Sequence, residues 1–251
     1  MRALSAADML KVWELAQDRH PVDRALALLW FARPELGREA LVELPVGRRD
    51  ALVLALRERT FGETLEAQVA CPACSVDVEL ALQTSSLRAE PPSAGSGPDY
   101  GLETDGFQLR FRLPDSRDLA EVAASGDPRA ALERLVERCV LSAWRRSGLR
   151  GDDEAIAPAD LPVAIVERLA EAMAEQDPQA EVLLDLACPA CGHAWQAVLD
   201  IVDFVSREVS VEAARLLGEI DALARAYHWR EAEILAMSSR RRQAYLEMAT
   251  A

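Results

Sequence analysis

With 251 residues, half of them hydrophobic and 28% charged, the chain has a globular composition and can bury a substantial core, as one large domain or two small ones. A formal charge of −14 argues against a nucleic-acid partner, which would need clustered Lys and Arg; the densest basic run is only Arg240-Arg241-Arg242. No apolar run approaches the ~20 residues that span a bilayer, and Asp8 and Lys11 come too early for a secretory signal, so the expected location is the cytoplasm, off the membrane.

In chain order, the first sixty residues predict helices. Ser5 can cap one that turns Met9, Val12, Trp13 and Ala16 to one side. Pro21 opens a second, with Leu26, Leu29 and Trp30 on its apolar face. A third is expected over about 45–59, ending before Gly62. From Thr64 the apolar period falls to two. Leu65, Ala67 and Val69 alternate with polar residues, and Val76, Val78 and Leu80 do so after Cys71-Pro72-Ala73-Cys74. This pattern predicts a β-hairpin with the cysteines at its tip.

Residues 88–101, with three prolines and three glycines, form an expected linker or long loop. Beyond it, Phe107, Leu109 and Phe111 suggest a strand. Asp127 and Pro128 open a helix expected to bury Leu132, Leu135, Val136, Cys139 and Val140. The acidic stretch 151–154 is expected to be a solvent-facing loop. The last fifty residues predict a long helix with a stripe through Ile201, Val205, Val209, Ala213, Leu216, Ile220, Leu223 and Tyr227, more readily explained as core than as a docking face. Two shorter helices are expected after it, over 231–237 and from 239 onward.

The chain also repeats itself. Laying Leu44 over Leu161, an offset of 117 residues, carries Cys71 onto Cys188 without a gap. Leu65, Ala67 and Val69 then meet Val182, Leu184 and Leu186, and residues 70–74 recur identically at 187–191. Each copy reads as a helix followed by a hairpin tipped with Cys-Pro-Ala-Cys. The expected fold is therefore α+β and mainly helical: two helix-plus-β-hairpin pseudo-repeats joined at a four-cysteine zinc site, with a C-terminal helical segment. The divisions fall at 1–87, the linker 88–101, 102–200 and 201–251.

Zinc favours four ligands at tetrahedral corners, and one Cys-x-x-Cys turn supplies two. Cys71 and Cys74 with Cys188 and Cys191 complete an all-cysteine structural site across 113 intervening residues. A redox dithiol favours a helix N-terminus, which lowers a cysteine pKa, whereas these pairs lie between alternating strands. Haem attachment needs His directly after the second cysteine, and Gly192 intervenes before His193. His193 itself reads as a polar hairpin residue, and Cys139 as a small core residue. His20 and His228 have no partners in a recognisable motif, and neither a phosphate loop nor a nucleophile elbow occurs. The expectation is a protein that is not an enzyme.

Three segments, LPVGRRDALVLALRERTFGETLEAQVACPAC, CPACGHAWQAVLDIVDF and LLGEIDALARAYHWREAEILAMSSRRRQAYLEM, resemble the T-even-phage-like baseplate protein or baseplate hub assembly chaperone family, also found in contractile injection systems. Their more specific parts are the arginine-containing helix before Phe61-Gly62, the cysteine pairs, and Tyr227-x-Trp229-x-Glu231-x-x-Ile234-Leu235. The resemblance implies a non-enzymatic assembly factor or structural component of a contractile phage-tail-like baseplate, with baseplate or tail hub proteins as partners. It brings no catalytic residues, and it adds the assembled particle to the cytoplasm as a location. The alternative is a thiol-disulfide oxidoreductase using one CxxC pair.

Overall fold

The computed structural model describes residues 1–89, 99–123, 125–146 and 153–250; most of the expected linker (90–98) and the start of the acidic loop (151–152) lie outside them. Four helices come first: α1 (Ala6–Ala16), α2 (Pro21–Ala32), α3 (Arg38–Val42) and α4 (Val46–Phe61). Strands β1 (Thr64–Ala70), β2 (Asp77–Gln83), β3 (Tyr100–Thr104) and β4 (Phe107–Phe111) follow. Next are α5 (Ser116–Ala123), α6 (Pro128–Cys139), β5 (Val140–Arg145), β6 (Glu154–Ala155) and α7 (Val163–Gln176). The chain closes with β7 (Leu183–Ala187), β8 (Ala194–Val198), α8 (Ile201–Tyr227), α9 (Glu231–Leu235) and α10 (Ser239–Thr250). Among the described residues the fold is mixed α+β, with three small antiparallel sheets, and it divides into two compact units.

One unit is drawn from three stretches, Met1–Leu36, Val53–Glu63 and Asp200–Ala251. Its helices start where local chemistry allows. Ser5 and Asp8 form a reciprocal capping box at α1, and the His20 ring accepts the Val22 N–H ahead of α2 (3.3 Å). The predicted α8 stripe is its buried side: Val205, Val209, Ala213, Leu216 and Leu223 are covered, and α1, α2 and α10 pack on this helix. On α2 the buried arc is Val22, Ala25, Leu28, Leu29 and Ala32. Two alanines in that arc allow close helix approach, and Trp30, expected inside, falls beyond it at 49% exposure. From α4, Arg57 forms a two-pronged ion pair with Glu208 of α8 (2.9 and 2.7 Å) and donates to the Gly62 carbonyl (2.8 Å).

The second unit comprises Gly37–Leu52 and Thr64–Leu199. Its four-stranded sheet runs β3-β4-β5-β6 and shares a core with α6 and α7, built on Leu109, Phe111, Val136, Val140, Ile165 and Leu169. Leu132, expected in that core, is 47% exposed, and Val140 opens β5 instead of extending the helix. Glu154 of the expected loop pairs with Arg145 as part of β6. The remaining two sheets are separate hairpins, β1-β2 and β7-β8. At the start of α4, the Gly47 N–H donates to the Asp177 carboxylate (2.7 Å), which caps the helix from a segment 130 residues away.

Candidate metal centre

Strand β1 ends at Ala70, paired with Asp77, and β7 ends at Ala187, paired with Ala194. Between each pair lies a Cys-Pro-Ala-Cys turn of the same build. The Cys71 N–H donates to the Val76 carbonyl (2.9 Å) and the Ser75 N–H to the Cys71 carbonyl (2.8 Å). In the other turn Cys188 donates to the His193 carbonyl (2.8 Å) and Gly192 to the Cys188 carbonyl (2.9 Å). Both turns close through a left-handed residue right after the second cysteine, Ser75 at φ +60° and Gly192 at φ +73°. The twist there carries the chain into the return strand.

The two tips meet. Cys71 Sγ lies 3.7 Å from Cys191 Sγ, and Cys74 Sγ lies 3.6 Å from Cys188 Sγ. All four sulfurs fall within 4.8 Å of one another, and none is in a disulfide. Four sulfurs each ~2.3 Å from a central ion stand about 3.8 Å apart along the edges of a tetrahedron. The two facing pairs are close to that edge, so the cluster has the spacing a metal ion requires. Cys71 and Cys188 are buried and pack with Val69, Val78, Leu80 and Trp195. Cys74 and Cys191 are exposed.

The local dipoles are uneven. N–H groups of Cys191 and Ala190 point at Cys188 and, against burial, draw its thiol down to about 7. At Cys74 the Val76 N–H favours the thiolate, but the crowding Cys191, Cys188 and Cys71 sulfurs together with burial push it up to about 12. Four thiolates this close repel each other, and a bound cation offsets that repulsion. The soft, all-sulfur donor set suits a thiophilic metal.

All four cysteines singled out in the sequence come together here. The other candidates stand elsewhere. His193 is at the tip but stacks its ring on Trp195 at 6.0 Å. His228 ends α8 in a left-handed conformation, φ +55°. Cys139 is fully buried in the sheet unit, where burial and the charge of Asp118, 3.9 Å away, push its thiol up to about 12. That Asp118 is itself an unforeseen feature. Fully buried, it accepts two hydrogen bonds from Arg112 (2.5 and 2.8 Å), one from Arg138 (2.7 Å) and one from the Asp115 N–H (2.9 Å). Its signal was available in Asp115-x-x-Asp118 after Pro114, a reciprocal cap with Asp in place of Glu.

The family model described as T4 bacteriophage base plate protein matches residues 35–206, more than half of the chain. Both cysteine turns lie inside that span, and the Tyr227-x-Trp229 pattern lies outside it. Neither the curated proteins nor the solved structures yield a match.

Proposed function

The chain belongs to the T4 bacteriophage base plate protein family, and on that premise we propose that it is a non-enzymatic component or assembly factor of a contractile phage-tail-like baseplate, held in shape by one structural zinc ion on Cys71, Cys74, Cys188 and Cys191. The observation that carries the metal part is the convergence of four sulfurs from turns separated by 113 residues. Zinc suits such a site because it takes four thiolates tetrahedrally and has no redox chemistry of its own. A closed four-sulfur shell leaves no position at which to activate water, in keeping with a structural role.

The pseudo-repeat supports the same reading. Helices α4 and α7 begin at Val46 and Val163, β1 and β7 end at Ala70 and Ala187, and β2 and β8 begin at Asp77 and Ala194, all at the offset of 117. We take the two helix-plus-hairpin segments as copies that present their tips to one ion. The partners are baseplate or tail hub proteins, and the chain passes from the cytoplasm into, or onto, the assembling particle. A nucleic-acid partner is disfavoured further because Arg242, in the densest basic run, is buried on Glu219 (2.9 Å). No helix of the described residues is long and apolar enough to cross a membrane.

Elemental analysis of the purified chain is expected to give about one zinc per molecule, and a tagged chain is expected to copurify with baseplate or hub proteins of its own system. Metal-free protein with full thermal stability would overturn the zinc assignment. A chain that captures none of those proteins would overturn the baseplate assignment.

A further inference from the structure

Two sulfur–sulfur contacts in the cluster cross from one hairpin to the other. Each facing pair joins one hairpin to the other and combines one buried with one exposed sulfur: Cys71 with Cys191, and Cys74 with Cys188. An oxidant arriving from solvent meets the exposed member first. The buried member then waits 3.6–3.7 Å away, on the opposite hairpin.

We propose that this centre is an oxidation site for hydroperoxides, at which the four thiolates become two disulfides crossing between the hairpins, Cys71–Cys191 and Cys74–Cys188, and the metal ion is released. The proposal rests on the zinc assignment above for the released ion and for the thiolate state of the exposed cysteines; the pairing rests on the sulfur geometry. In each pair the exposed cysteine, a thiolate while the metal is bound, attacks one oxygen of hydrogen peroxide, the O–O bond breaks, and a sulfenic acid and hydroxide form. The buried thiolate then attacks the sulfenic sulfur. An S–S bond forms, a second hydroxide leaves, and two protons from solvent turn both hydroxides into water. Two thiolates have lost two electrons and one peroxide has taken them up. Disulfide sulfur no longer neutralises the cation, so the ion leaves once both pairs have reacted. The outcome is a hairpin-to-hairpin tie that no longer depends on metal, suited to a protein that moves from a reducing interior to an oxidising exterior.

The test uses the full chain, purified reduced, with its metal content measured first. Hydrogen peroxide is added in stoichiometric portions. Zinc release is followed with a chromogenic chelator, and disulfides are mapped by mass spectrometry after digestion without reductant. The expected map joins Cys71 to Cys191 and Cys74 to Cys188 within one chain, with zinc release in step. In the oxidised protein, chelator is expected to leave the melting temperature unchanged, whereas in the reduced protein it lowers it. Dimedone is expected to label Cys191 persistently in Cys71→Ser, and Cys74 in Cys188→Ser, because each has lost its resolving partner. Disulfides within the turns (Cys71 to Cys74, Cys188 to Cys191), links between chains, or sulfinic acid without disulfide would each overturn the proposal. If the purified chain holds no metal, the zinc assignment fails by itself. The map obtained from the same reduced, metal-free chain then still decides the pairing.

Discussion

A methyl group added to Gly47 would stand 2.2 Å from Asp177 Oδ1 and 2.6 Å from the Ala180 amide nitrogen. Neither neighbour can yield cheaply, because the carboxylate caps α4 and the nitrogen is backbone. Gly47→Ala is therefore expected to lower stability by about 1–3 kcal/mol, read from the urea midpoint; an unchanged midpoint would show that the cap is dispensable. Gly192 is a case of conformation rather than space, since nothing lies within 4 Å of its added Cβ while its φ is +73°. Gly192→Ala should cost about 1 kcal/mol through backbone strain alone. At Asp118, burial taken alone would raise the pKa, but Arg112, the Asp115 N–H and Arg138 outweigh it and hold the carboxyl well below the ordinary carboxylate range. A folded pKa below the unfolded one means that folding favours the ionised form. That contribution is complete above about pH 4, near the unfolded carboxylate value, and is lost as pH falls toward the lower folded value. Asp118→Asn is accordingly expected to cost about 2 kcal/mol at pH 7, discounted for the part exposure of both arginines, and to flatten the loss of stability below pH 4. Parallel acid limbs for the variant and the original chain would contradict this assignment.

Between elements, one side chain of α4 reaches α8 through an ion pair. The Arg57 guanidinium is 3% exposed and serves Glu208 and the Gly62 carbonyl together. Arg57→Met keeps the bulk, removes the charge and strands both acceptors, for an expected loss of about 3 kcal/mol in chemical denaturation. A loss under half of that would mean the fork is replaceable by packing. Such contacts mark the boundary of what can be read from a sequence. The starts of α1, α2 and α6 were legible because Ser5, Pro21 and the pair Asp127-Pro128 act within a turn of themselves. The two hairpins were legible because alternation and tip are contiguous. Helix α3 was missed: it has five residues, and Gly37 before it offers no side-chain cap. Strand β5 was missed because a register shift between Arg110 and Phe111 breaks its period, so that Val140 and Ala143 face the core where strict alternation would not place both. Trp30 and Leu132 look like core by spacing. Which apolar residues are covered is decided by partners distant in the chain. The cysteine cluster was foreseeable because one Cys-Pro-Ala-Cys turn supplies half of a four-ligand site and a second recurs 117 residues on; its exposed-and-buried pairing was not.

For the molecule as a whole, an ion on all four sulfurs would tie together residues on either side of a 113-residue stretch. Closing a loop of that size withdraws roughly 4–5 kcal/mol of freedom from the unfolded chain by the cross-link relation. Cys71→Ser and Cys188→Ser are thus expected to lower the melting temperature by the same amount, and chelator to add nothing further in either. Clearly unequal losses would mean that the turns bind separately. The helical unit carries a different consequence of chain order, because it is assembled from Met1–Leu36, Val53–Glu63 and Asp200–Ala251. During synthesis α1 and α2 leave the ribosome first, while α8, the helix they pack against, follows roughly 10–40 s later at typical elongation rates. Throughout that interval the apolar flanks of α1 and α2 are without the helix that covers them in the folded unit.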